Sequence, residues 1–439
     1  MFYSAEKRKA FLDDIKKYEK PLTNKNLQFE YDGNPMHSPP VYRIKLDYLI
    51  FNQYNARIAD ELKTYQAVDL GDDKDYNEDL EEKIKDILWN QGGKNVATLE
   101  SLDKAGQITP GVVTADGIIV SGNRRAMLLS RLNKEYFEGV ILDEAHDGNK
   151  TMIALLEARL QHKNIGAQDY SATAKQFAVY QMHKELNIDW PEIADSQNES
   201  ETKVKQYYEE MVTMLDYLNI IGTPNVYTNL RILGTKGTKE ETFRETNKNY
   251  KRMTGPNANL NLDWAYTEDN ADEYKEVMYD YIRAYNLGAP SSYRRIGPGA
   301  GLKKGILSNE MLWKNFYANH IKITHPATQS LKSFTDYATM PEYESLDPKD
   351  IAETRENDWI KKVENDLLKN YEEFVGYIDA LNAENEPEEK IKKLLAIVHS
   401  IKSDDLKIMK NSQNINLIQD QLSEISDLIE DFQNSLKQD

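Results

Sequence analysis

The residues with the clearest chemical capacity are Gly122-Asn123-Arg124-Arg125-Ala126. A glycine leading into the first turn of a helix lets backbone amides point at an anion, and the helix dipole adds partial positive charge at the same place. Arg124 and Arg125 fall in that turn. Cations there oppose the dipole, so adjacent arginines are locally unfavourable unless an anion compensates them. A bound phosphate would do so, as would salt bridges to some of the chain's many carboxylates, and spacing alone favours neither. A second basic element, Tyr293-Arg294-Arg295-Ile296-Gly297-Pro298-Gly299-Ala300-Gly301-Leu302-Lys303-Lys304-Gly305, lacks the spacing of a Walker loop. It reads first as a solvated surface loop and second as a contact for a substrate or for DNA. The histidines show no metal-ligand spacing.

The elements that must position these groups follow from periodicity. Tyr42 to Tyr48 alternates apolar and charged residues, which predicts a strand. Leu80, Ile84, Ile87 and Leu88 predict a helix from Asp79 to Trp89, and Val96 to Lys104 a second one ending at Gly106. Pro110 to Val113 and Ile118 to Val120 flank Asp116-Gly117, a hairpin signal. The helix Arg124 to Leu132, a strand Phe137 to Leu142 and a helix Thr151 to His162 complete the pattern.

From Tyr170 the chain is almost wholly helical. A long helix should reach about Leu186, and Pro191 to Asp195 and Ser200 to Leu215 outline a helix-turn-helix. Its second helix, from Glu199 to Glu210, carries more acids than bases and would meet phosphate repulsion in a DNA groove, so the pair reads as structural, with Trp190 and Ile193 in its core. Thr223-Pro224 marks an expected boundary. Ile415, Ile418, Leu422, Ile425, Ile429, Phe432 and Leu436 form a heptad stripe, which must bury in an intramolecular bundle or in a dimerising coiled coil.

Several ordered elements together resemble the ParB/sulfiredoxin superfamily. These are Leu99-Glu100-Ser101-Leu102-Asp103-Lys104-Ala105-Gly106-Gln107-Ile108-Thr109-Pro110, then the hairpin, then Gly122-Asn123-Arg124-Arg125-Ala126. Asn55-Ala56-Arg57 resembles the superfamily's N-terminal box. The likeness spans Val41 to Gln161, with a weaker extension to Leu215. It implies an α+β, ParB/sulfiredoxin-like N-terminal domain followed by mostly α-helical regions, with a nucleoside triphosphate as ligand. It also implies that Gly122, Asn123, Arg124 and Arg125 hold phosphates, that Asn55 and Arg57 close over the nucleotide, and that Glu157 holds Mg2+. Glu157 and Arg124 would then carry any catalysis. Two positions depart from the pattern: Asn123 stands where partition proteins carry glutamate, and Ala158 stands in place of the asparagine after the metal-binding acid, so a solvated helix residue is the other reading of Glu157. The implied activities are NTP hydrolysis or a nucleotide-gated switch in plasmid, phage or defence processes, with a noncatalytic DNA-binding or adaptor protein and a DNA nickase or nuclease as alternatives.

Composition bounds these readings. The 439 residues, 29% charged and 40% hydrophobic, suit several soluble domains. The expected divisions are 1–165, 166–222, 223–345 and 346–439. The absence of cysteine excludes thiolate metal sites, cysteine nucleophiles and the sulfiredoxin reaction. A net charge of −18 opposes nonspecific nucleic-acid coating, so any DNA contact must use local basic patches. No apolar run approaches a bilayer span and no secretory signal is evident, which leads to the expectation of a cytoplasmic protein. The expected partners are a nucleotide and, through the C-terminal helices, a second copy or another protein.

Overall fold

The structure is a computed structural model that describes residues 3–31, 34–36, 38–55, 57–68, 76–91, 95–163, 172–231, 239–255, 264–284, 292–300, 303–401, 409–410 and 415–437. Ala56, Gly301, Leu302 and the expected helix start at Tyr170 lie outside these residues. The fold is α+β, with a mixed five-stranded sheet in the front part and helices behind it. In spatial order the strands are Val41–Lys45, Tyr136–Ile141, Gly111–Val113, Ile118–Ser121 and Ile50–Phe51.

Strand side chains alternate between faces, and here both faces are covered. Val113, Ile119 and Ile141 face one core with Leu12, Ile84 and Ala126 from three helices. Val112, Val120 and Val140 face the other with Ile153, Leu156 and Leu160 of the helix Lys150–Lys163. Burial of each such aliphatic side chain contributes roughly 1.5–3 kcal/mol. This double covering explains why the hairpin strands read as continuous β-branched runs, with no polar alternation.

Local signals place the element ends. The helix Asn95–Ala105 stops at Gly106, whose φ of +69° is the left-handed conformation that glycine adopts without penalty. The first sheet strand ends at Lys45, because Leu46–Tyr48 tightens into a 3-10 turn. The expected long helix ending near Leu186 is instead an α-helix, Ala172–Tyr180, continued by π-helical Gln181–Glu185. Trp190–Gln197 and Glu201–Ile220 form the expected helix pair, with Ser200 capping the second helix and Ile193 fully buried; Trp190 is half-buried and stacks on His183 at 3.6 Å.

At the expected boundary Thr223-Pro224, Thr223 is fully buried and accepts a hydrogen bond from Asn229 at 3.1 Å. The C-terminal helix Ile415–Ser435 has no buried residue, so among the described residues its stripe does not form an intramolecular bundle. The region 225–340 is mainly helical as expected, through Glu240–Thr254, Glu268–Arg283 and Glu310–Gln329. Their aromatic core packs on the first half of a helix spanning Pro348–Ser400.

Candidate functional site

Gly122 sits between the strand Ile118–Ser121 and the helix Asn123–Arg131 with φ of +105°. A Cβ here would lie 2.9 Å from the Phe137 ring and 3.3 Å from the Arg125 guanidinium, so space and backbone conformation both require glycine. No side chain caps this helix, which leaves first-turn amides for an anion.

The two arginines of the turn diverge. Arg124 donates from Nε to Asn95 Oδ1 and reaches Thr98 Oγ1 at 3.4 Å. Burial, and then the neighbouring Arg57 charge, hold the Arg124 guanidinium below its ordinary value. Arg57 and Arg124 therefore lie within electrostatic reach, although they are far apart in sequence. Two cations within electrostatic reach of each other near an uncapped helix N-terminus form a place where an anion relieves repulsion. Arg125 instead turns inward, donating to the carbonyls of Thr109 and, at 3.3 Å, Pro110. Burial pushes its pKa down to about 10. Its observed partners make it a brace between the turn and the hairpin.

Asn123 and Asn55 are likewise occupied within the protein. Asn123 Nδ2 donates to the Ile119 carbonyl at 2.8 Å, and its Oδ1 accepts from the backbone N–H of Asn52 at 3.0 Å. The carboxamide thus satisfies one donor and one acceptor, which a glutamate at this position could not do. Asn55 is buried, and its Oδ1 accepts from the Arg57 amide at 2.8 Å, shaping the loop that presents Arg57. The Arg57 guanidinium donates to Gln161 Oε1 at 2.9 Å, which ties that loop to the Lys150–Lys163 helix.

Glu157 lies on the same helix and is only 8% exposed, so it is not a solvated surface residue. Its Oε2 accepts from Asn52 Nδ2 at 2.8 Å. Asn52 is therefore the link between Glu157 and the Gly122 turn, bonding Asn123 through its backbone and Glu157 through its side chain. Sequence reasoning missed it; the only signal is its position, between a strand and the Asn55-Arg57 box. Among the described residues no group of three or more His, Asp or Glu side chains gathers around a possible metal ion. A single carboxylate still fits magnesium, which commonly completes its shell with phosphate oxygens and water.

A cavity of about 310 Å³ opens beside Asn52 and Glu157, between Ile153, Ala154 and Ala158 on one side and Ala178 and Met182 on the other. Tyr54 and His146 stand at its wall, stacked at 4.9 Å with ring planes 8° apart. Part of the opposite wall is the π-helical segment, a geometry that recurs at functional sites. Ala158 is buried and lines this cavity, so it supplies no metal ligand. The second basic element is paired in part: Arg294 meets Glu241 at 3.3 Å and Arg295 meets Asp379.

No family model matches the chain, and no curated protein does. Among solved structures it is similar to the C-terminally truncated chromosome-partitioning protein ParB from Caulobacter crescentus complexed with CTP-gamma-S. That likeness has 13% identity and a TM-score of 0.17, and covers 42% of this chain and 85% of that one. It is also similar to a Pnob8-like ParB-N domain, with 12% identity and a TM-score of 0.25, over 65% of this chain and 97% of that one.

Proposed function

We propose that the front part of the chain, residues 1–165, is a ParB/sulfiredoxin-type domain that binds a nucleoside triphosphate with Mg2+ and serves as a nucleotide-gated switch or NTP hydrolase. The observation that carries this reading is the joining of Glu157, through Asn52, to Asn123 at the uncapped N-terminus of the Asn123–Arg131 helix, where Arg124 lies within electrostatic reach of Arg57. The helix amides, Arg57 and Arg124 hold phosphate oxygens, and Gly122 permits the close approach. Asn55, Asn123 and Arg125 act on the ligand through the loop and turn they fix. When bound, the metal would neutralise phosphate charge and stabilise charge developing during transfer. Glu157 would hold that ion, while Asn52 holds the Glu157 carboxylate in place.

This chemistry suits a process on plasmid, phage or host-defence DNA. Direct DNA contact would be confined to local basic groups, because the second helix of the 190–220 pair keeps its excess of acids. The C-terminal helices, behind the helical divisions 166–222 and 223–345, mediate self-association.

The deciding experiment is a titration of wild type and Glu157→Gln with nucleotides, in magnesium and in EDTA. With metal, the substitution should weaken binding and abolish any hydrolysis or DNA nicking. In EDTA the same carboxylate repels phosphates, so binding should be unchanged or tighter. Magnesium strengthening both proteins equally would remove Glu157 from the reading. Binding without turnover would select the switch or adaptor form, and metal-dependent plasmid nicking the nuclease form.

A further inference from the structure

The cavity beside Glu157 lies between two helical stripes. Ala154, Glu157 and Ala158 line it from the Lys150–Lys163 helix, and Ala178, Met182 and Glu185 line it from the helix Ala172–Tyr180 and its π-helical continuation. Three alanines thus border about 310 Å³ of space that a longer side chain from either wall would fill. Ala158 stands where the superfamily pattern has asparagine, so this departure adds room to the cavity.

The entrance is built with more order than a packing defect requires. Asn52 Oδ1 accepts from the Tyr54 N–H at 2.9 Å while its Nδ2 donates to Glu157 at 2.8 Å, so one side chain sets both a ring and a carboxylate of the wall. Asp116 Oδ1 accepts from the His146 N–H at 3.0 Å, which fixes the loop that carries the second ring. The two rings stack, and Lys150 Nζ lies 5.9 Å from the tyrosine ring. Burial keeps the imidazole below its ordinary pKa, so it stacks as a neutral ring at pH 7.

Further in, the wall is apolar, and its polar groups favour a ligand that donates. Gln181 Nε2 donates to Glu185 Oε2 at 3.4 Å, and the oxygens of both side chains are acceptors. Aromatic rings, apolar walls and acceptors together suit a flat heterocycle that stacks through its faces and donates from an edge. The volume is at the lower end for ligand sites, about 300 Å³, which admits one ring system with its sugar and excludes a whole nucleoside triphosphate.

We infer that this cavity binds a flat nitrogen heterocycle bearing an amino group, with Tyr54 and His146 as the stacking surface and Gln181 and Glu185 as acceptors for the amino protons. Such a ring has two sources: the base of the nucleotide whose phosphates the Gly122 turn holds, or a separate nucleoside-like effector. The first source rests on the phosphate reading above, and the cavity assignment stands without it.

Calorimetric titration of the full chain in magnesium tests the inference, using inorganic tripolyphosphate, the nucleosides adenosine, guanosine, cytidine and uridine, and their triphosphates. At least one amino-bearing base should bind about tenfold or more tightly than its uridine counterpart, the usual gain from a hydrogen bond to a charged group. Tyr54→Ala should weaken that ligand roughly 5- to 140-fold through lost stacking. Ala178→Leu fills the cavity and should remove the preference, with tripolyphosphate binding as in wild type. Ala154→Leu fills the same space from the opposite wall and decides the matter if Ala178→Leu does not fold. Triphosphate binding tighter than both tripolyphosphate and nucleoside identifies the ring as the base of the bound nucleotide. Nucleoside binding unaltered by saturating tripolyphosphate, with triphosphates no tighter than tripolyphosphate, identifies a separate effector. Equal binding of all four bases would overturn the inference, as would a preference retained in the folded leucine variants, or no contribution of any base to binding. A wild type that binds nucleosides but not tripolyphosphate would count against the phosphate turn alone.

Discussion

Replacing the two arginines of the Gly122 turn separately should produce different phenotypes, although they are neighbours in sequence. Arg124→Ala removes a half-buried cation that lies within electrostatic reach of Arg57 and donates to the side chains of Asn95 and Thr98. In the apo protein the lost bonds are offset by relief of repulsion from Arg57, so apo stability should change by less than about 1 kcal/mol. With phosphates bound, one charge-assisted contact is worth about 1.5–3 kcal/mol. At about 1.4 kcal/mol per decade, that is roughly a 10- to 150-fold loss of affinity. Arg125→Ala instead strips a half-buried brace from the Thr109 and Pro110 carbonyls, and about the same 1.5–3 kcal/mol should appear as a lower apo melting temperature. The assay is a thermal melt of both variants with and without saturating nucleotide and magnesium, since a ligand that binds only the folded state raises its stability by RT ln(1 + [L]/Kd). Wild-type nucleotide stabilisation in Arg124→Ala, or equal apo destabilisation by the two variants, would refute the division of roles.

Other outcomes can be checked in the same protein. Glu356, only 2% exposed, lies between the buried guanidiniums of Arg283 and Arg355. Glu356→Gln should therefore cost about 3–5 kcal/mol in urea unfolding, because two buried cations lose their counter-charge, and a loss below about 1 kcal/mol would contradict this. Burial holds the His146 pKa below its ordinary value. Below roughly pH 6.5 the unfolded chain therefore binds a proton that the folded one resists, and stability contributed at this site falls as pH drops toward the folded pKa. His146→Phe should flatten the melting profile between about pH 7 and pH 5, and an unchanged slope would assign that pH dependence to other groups.

Much of the front architecture was legible in the sequence because its signals are local. Asp116-Gly117 between β-branched runs marks a hairpin, Gly106 marks a helix end, and Gly122 ahead of Ala126 and Leu129 marks a strand passing into a helix. Each depends on backbone sterics or side-chain period over a few residues, which the chain states directly. The division of labour within the candidate site was not legible. Asn52 meets Asn123 across 71 positions and Glu157 across 105, and no periodicity encodes such contacts. The inward turn of Arg125 and the approach of Arg57 to Arg124 likewise depend on how the hairpin, the Asn55 loop and two helices pack. At the C-terminus the heptad spacing determined that an apolar face exists. Only the tertiary structure decided that the described part of the chain does not cover it, because an amphipathic pattern specifies which side must be buried and carries no address for the surface that buries it.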